Sequence, residues 1–357
     1  MAKPSGLNVT DTDANFFTSR VLPRRFIRLF PVAAALLYPF LLQAFHVVVG
    51  PVGSAVSAGS IAAATILLLL VFAAPLSGLA CAQWWTSQPG QVDLRARRLA
   101  YAGVAVPPLF VFVGVIRGYV VNLLGLPVSD IAIWIALWLV AGLRIWFGGE
   151  PSPSVSNPRR IAALRVAHGI CAVLITCFVL FHLSNHLFGL AGPDVHAGIM
   201  KAGRAVYRSP FVEPVLVLAL LFQAASGVRL AWHWSGVRAD AYRVFQIGSG
   251  VYLAAFLLAH LNSGLIAARH VYQIESNWAW AAGAPDGLIH GAWNIRLLPH
   301  YALGVFFILS HLVSGLRVVL VAHGVSSTIA DRVWWAGLAV AAAISATIMC
   351  ALCGVRI

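Results

Sequence analysis

Charge is what this sequence has least of. Asp, Glu, Lys and Arg together make up 10% of 357 residues, and only 11 residues are acidic. Hydrophobic residues reach 60%, and the mean hydropathy is +0.86. A soluble domain of this length does not look like this; a polytopic membrane protein does. The apolar runs hold almost no carboxylates, which argues against an ion- or proton-coupled carrier. Cysteine is sparse as well. Cys81, Cys171, Cys177, Cys350 and Cys353 all lie in or beside apolar runs and form neither a disulfide framework nor a zinc pattern. Cys350 and Cys353 spell CxxC, but at a helix end they read as two small apolar residues. A cleavable signal is not expected: residues 1–19 are polar, and the first apolar run, opening after Arg20, Arg24, Arg25 and Arg28, is too long for one. The net charge of +13 comes mostly from basic residues between apolar runs. There they set topology, and no nucleic-acid partner is implied.

An apolar helix needs about twenty residues to cross the hydrocarbon core. Nine runs qualify: 27–49, 60–84, 99–123, 130–148, 164–190, 211–234, 243–269, 297–322 and 333–354. The expected fold is therefore an all-α polytopic membrane protein. The connections alternate in charge. Arg95, Arg97 and Arg98, then Arg159, Arg160 and Arg165, then Arg238 and Arg243 lie on one side. Residues 50–59 and 124–129, on the other side, carry no charge. The positive-inside rule then predicts a cytoplasmic N-terminus and an outside C-terminus in the inner membrane. One connection disagrees: residues 191–210, placed outside, carry Lys201, Arg204 and Arg208, and Asp194 is expected to start a short interfacial helix there. The Pro/Ser-rich stretch 151–160 divides a cytoplasmic segment (1–26) and four helices (27–150) from five helices (161–357). In the front region His46 stands alone, and Gly142-Leu143-Arg144 faintly echoes the Gly-x-Arg endings of later helices. The loop 270–296, with Trp278, Trp280 and Trp293, reads as a lid at the membrane interface.

The second half repeats itself. Arg165-Val166-Ala167-His168 and His182-Leu183 recur as Arg243-Val244-Phe245-Gln246 and His260-Leu261, each 78 residues on. Gln223-Ala224-Ala225-Ser226-Gly227-Val228-Arg229 matches His311-Leu312-Val313-Ser314-Gly315-Leu316-Arg317 at an offset of 88. Residues 161–322 thus read as two copies of a helix–loop–helix unit, and such repeats in a membrane chain commonly surround a shared site. Helix rise places the repeated positions in two layers. His182 and His260 each lie about 25 Å outward from an inner Arg; Gln223 and His311 each lie roughly 9 Å from the inner end.

Two imidazoles facing each other across a helical bundle are what a six-coordinate haem b needs. Gly227 and Gly315 share a helix face with Gln223 and His311 and would let a flat macrocycle approach the backbone. Arg229 and Arg317 are equally readable as propionate partners or as snorkelling side chains. His168, His186 and His300 are weaker candidates; His186, one turn beyond His182, is an alternative to it as a ligand. The bland reading of every one of these histidines is a bundle residue hydrogen-bonded to its neighbours.

These motifs together resemble the five-helix cytochrome b anchor of succinate:quinone and quinol:fumarate oxidoreductases, the kind that carries two haems. The resemblance covers about 161–355: Arg-Val-x-His, Phe181-His182-Leu183, Pro210-Phe211-Val212-Glu213, the second Arg-Val helix ending in His260, and His311-x-x-Ser-Gly315. It implies an outer haem on His182 and His260 and an inner haem at the positions of Gln223 and His311. It also implies electron exchange with a quinone, for which Glu213 is the nearby carboxylate, and flavoprotein and iron–sulfur partners on the cytoplasmic face. Two departures stand out. Glutamine is a poor haem ligand, so the inner haem is absent, held by His311 alone, or held with another residue such as His168. The four front helices have no place in the family pattern. A transporter, or a non-redox sensor or assembly module on the same bundle, is the alternative.

Overall fold

The computed structural model describes residues 24–87, 94–147 and 158–357. Most of the segment 1–26 and of the Pro/Ser-rich stretch 151–160 lies outside the described residues. The helices that matter are α1 (Phe30–Val49), α2 (Ala58–Ser87), α3 (Leu94–Val104), α4 (Val106–Leu124), α5 (Asp130–Phe147), α6 (Pro158–Leu187), α7 (Pro193–Tyr207), α8 (Val212–Trp234), α9 (Ala241–Leu261), α10 (Leu297–Ala322) and α11 (Ser327–Leu352). The described residues contain no strand. Nine helices among them are long and apolar enough to cross a membrane. The chain is an all-α polytopic membrane protein. Its outward faces carry Leu69, Val173, Leu174, Val215 and Leu218, the composition of a surface that meets lipid tails rather than water.

Breaks in the helices follow from local chemistry. Pro107 and Pro108 cannot continue a helix from the turn before them, so α3 and α4 part at Ala105. At the end of α9 the chain loosens into a π-helical stretch, Asn262–Val271. Wide turns of this kind gather at functional sites, and this one follows His260 directly. Where α2 crosses α3, a Cβ on Gly78 would lie 2.7 Å from the Ala100 carbonyl oxygen and from the Val104 nitrogen. Only glycine permits that approach.

Helices α6, α8, α9 and α10 form a ring, each packed on the next, with α10 also touching α6; α11 covers α10 and α6. The front helices are built into this bundle rather than set beside it. Val104 packs with Tyr252, Leu253, Leu303 and Phe307; Ala82, Ala100 and Tyr101 pack with Val244 and Ile247; Val111 packs with Leu183 and Ala259. A further core of Tyr38, Phe110, Trp134 and Trp138 holds the front helices together. There the Trp134 indole donates to the Ala35 carbonyl at 2.7 Å, so its N–H is not stranded.

One end of the bundle is capped. Helix α7 lies there, as do the short helices Trp278–Ala281 and Gly287–His290. His290 Nδ1 meets the Gly50 carbonyl at 2.9 Å, Arg296 pairs with Asp130 at 2.7 Å, and the Ile357 amide donates to the Leu190 carbonyl. These contacts gather the 50–57, 125–129, 188–211 and 272–293 connections and the C-terminus at the same end. The arginine-bearing loop 191–210 is thus mostly helix α7, as Asp194 suggested.

Candidate functional site

The capped end of the ring encloses a cavity of about 280 Å³. Its walls include Phe178, His182 and His186 of α6, Glu213, Leu216 and Leu220 of α8, and Phe256 and His260 of α9. The spacing of Glu213, Leu216 and Leu220 keeps three side chains on one face of α8. His182 and His260 meet across this space with ring centres 5.8 Å apart and planes at 76°. Phe178 stacks on His182 at 5.5 Å, and Phe256 stacks on His260 at 5.3 Å. Among the described residues neither imidazole has a hydrogen-bond partner.

The packing behind His260 depends on Gly304. A Cβ there would run into the Phe256 ring, which also lies 4.7 Å from His300. His186 stands edge-on to His182 at 4.7 Å, and His196 of α7 follows at 5.4 Å from His186. Trp278 closes this row, 4.7 Å from His196, against a backbone left bare at Gly189. The Asn185 amide donates to His196 Nε2 at 3.2 Å. Burial, and the positive charge of Arg204, push the His196 imidazole down to about 4, so it is neutral at physiological pH.

A second pair of histidines lies nearer the opposite end of the ring. His168 Nδ1 is 2.7 Å from Ser226 Oγ, and His311 Nδ1 is 2.9 Å from Ser249 Oγ. Each serine has one proton to give. Ser226 donates to the Phe222 carbonyl at 2.6 Å and Ser249 to the Gln246 carbonyl at 3.2 Å. A serine hydroxyl beside one ring nitrogen orients each imidazole, as the outer partner of a metal-ligating histidine does. The residue after each serine is a glycine, and the same ring leans over it: a Cβ on Gly227 would sit 3.5 Å from His168 Cε1, and one on Gly250 would sit 3.2 Å from His311 Cε1.

The positions read from the repeat are placed as follows. His182 and His260 come together. The Gln223 amide donates to the His168 carbonyl at 3.1 Å, and the His311 imidazole meets Ser249. Gly227 faces His168, whereas nothing lies within 4 Å of a Cβ on Gly315. Arg317 is engaged by Asp331 at 2.7 Å and lies over the Tyr242 ring, and Arg229 is exposed. Glu213 lines the capped cavity and pairs with Arg269 at 2.6 Å. Ser226, Ser249, Gly250, His196, Arg208 and Arg269 were not expected from the sequence to belong to a site. The signal available for the first three was a Ser-Gly step, present at Ser226-Gly227 and again at Ser249-Gly250.

Among the described residues no group of three or more His, Cys, Asp or Glu is placed to hold a metal ion. Two imidazoles that held one metal ion between them, each at a bond of about 2 Å, would have ring centres roughly 6 Å apart. His182 and His260 stand at 5.8 Å. Compared with known protein families, with curated proteins and with solved structures, the chain finds no match.

Proposed function

We propose that this chain is a haem b-binding, electron-transferring membrane subunit of a quinone-linked oxidoreductase. The observation that carries the reading is the His182–His260 pair, 5.8 Å between ring centres, in a cavity inside a four-helix ring. Haem, when bound, supplies one-electron chemistry that the side chains themselves lack. The chain's part is ligation and environment. His182 and His260 offer one nitrogen each. Phe178 and Phe256, stacked on the two rings, fix their planes and keep water away. His168 and His311, each oriented by a serine and seated on a glycine, are the ligands for a second haem toward the opposite end. A conduit along the bundle axis would then run from one layer to the other.

Glu213 is the carboxylate for quinone protons at the capped end, where it lines the cavity beside Arg269. The positive-inside rule puts that end outside the inner membrane and the opposite end in the cytoplasm. Flavoprotein and iron–sulfur subunits would dock on the latter.

The test is the spectrum of the purified full-length protein. A low-spin b-type signal is expected, diminished in both His182→Ala and His260→Ala. The near-perpendicular ring planes further predict a strongly anisotropic electron paramagnetic resonance signal from this site. A pure protein without colour ends the proposal. Haem that quinol cannot reduce in membranes would move the chain to the class of sensors or assembly modules.

A further inference from the structure

The capped cavity has a charged edge. Arg204 of α7, Arg208 at its C-terminal end, and Arg269 of the π-helical stretch line the same space as His182 and His260. Two of these guanidiniums have carboxylate partners: Arg204 pairs with Glu275, and Arg269 with Glu213. Among the described residues Arg208 forms no ion pair; its hydrogen bond goes to the Ser276 hydroxyl, at 3.1 Å, and the carboxylate that acts on its charge, Glu213, is already paired with Arg269. Three cations thus face two anions. The Nε atoms of all three arginines are buried without a partner. Burial, together with the neighbouring Arg204 and Arg269 charges, lowers the pKa of Arg208 from its usual value, so its charge is held at a cost. An anion placed at this edge would remove that cost and use the open donors. The Glu275 side chain is 67% exposed, so its hold on Arg204 is screened by solvent and readily exchanged.

Haem b carries two carboxylates on one edge of an otherwise apolar ring. The apolar walls at Leu216, Val217, Leu220, Leu253 and Leu257 and the cationic edge match that distribution. We propose that Arg208, assisted by Arg204, binds the propionate edge of the haem held between His182 and His260, so that this edge faces α7. Arginine suits the task because its planar fork meets a carboxylate through two parallel hydrogen bonds. The proposal rests on the haem reading above and adds to it which way the ring is turned. It also moves the propionate role away from Arg229 and Arg317, neither of which lines this cavity.

The experiment titrates the apoprotein, full chain in neutral detergent, with haem b and with its dimethyl ester. A His311→Ala background leaves only the capped-end site to load. Wild-type residues at the arginine positions should prefer haem b over the ester by roughly tenfold to a hundredfold, the worth of one charge-assisted hydrogen-bonded contact. Arg208→Gln should abolish most of that preference while binding the ester as before, and Arg208→Lys should keep part of it. Unchanged ester affinity shows that the variant is folded and that its site is intact. A full preference retained in Arg208→Gln overturns the proposal. Equal binding of haem and ester by the parent chain, with a b-type spectrum, overturns it and leaves the haem reading standing. No haem uptake at all overturns both.

Discussion

Replacing Ser249 by alanine tests the hydroxyl that orients His311 at the end of the bundle away from the cap. Ser249 is fully buried, and its Oγ lies 2.9 Å from His311 Nδ1. Alanine removes that partner. A buried ring nitrogen left without one costs about 1–3 kcal/mol. Loss of an outer partner of a ligating histidine costs roughly tenfold to a hundredfold in affinity, which corresponds to about 1.4–2.8 kcal/mol. The two figures fall in the same range. The assay is a haem titration in a His182→Ala background, where only His168 and His311 remain as a pair. Ser249→Ala and Ser226→Ala should each weaken binding by that factor. Ser310→Ala is the control: Ser310 is equally buried and donates to the Phe306 carbonyl at 2.7 Å, but no histidine leans on it. Unchanged affinity in both test variants, or an equal drop in the control, would refute the reasoning.

Gly304→Ala drives a methyl group into the Phe256 ring that backs His260. Overpacking of this kind costs about 1–3 kcal/mol, so thermal unfolding should come earlier and the capped-end haem spectrum should shift; a variant as stable as the parent would show that Phe256 has room to move. His196 titrates at about 4 when folded against an ordinary 6.5. Its depressed value means that the unfolded chain binds the extra proton first, so stability falls as pH drops from 6.5 toward 4 and the loss levels off below that. His196→Gln should flatten this acid limb in a pH series of unfolding measurements; an unaltered slope would place the acid sensitivity elsewhere.

The spans were legible because lipid imposes a length and an apolar composition that few other constraints can mimic. The run read as 297–322 is helix Leu297–Ala322, and that read as 130–148 is Asp130–Phe147. The run read as 99–123 is instead parts of two helices, divided just before the proline pair Pro107-Pro108. The meeting of His182 with His260 was anticipated from equal depth in duplicated helices. The other layer was not resolved by depth alone. Repeat alignment set Gln223 opposite His311, with His168 as another partner; the structure puts the Gln223 amide on the His168 carbonyl, and the turn of a side chain about a helix axis leaves no trace in an offset of 78 or 88. The arginines of residues 191–210 looked like a fault in the charge pattern because a linear rule counts charges without asking what they face.

Composition and periodicity by themselves determined that this chain is an all-α polytopic membrane protein, with nine helices among the described residues long and apolar enough to cross, and that the sequence of its later half repeats itself. Solvent and helix geometry act on every residue along the chain, so their imprint is readable in order. Only the tertiary structure decided which histidines become neighbours, which serines and glycines hold them, and that Arg204, Arg208 and Arg269 share a cavity with His182 and His260. Those are matters of side-chain direction and of contacts between distant segments, which packing settles once the helices have come together.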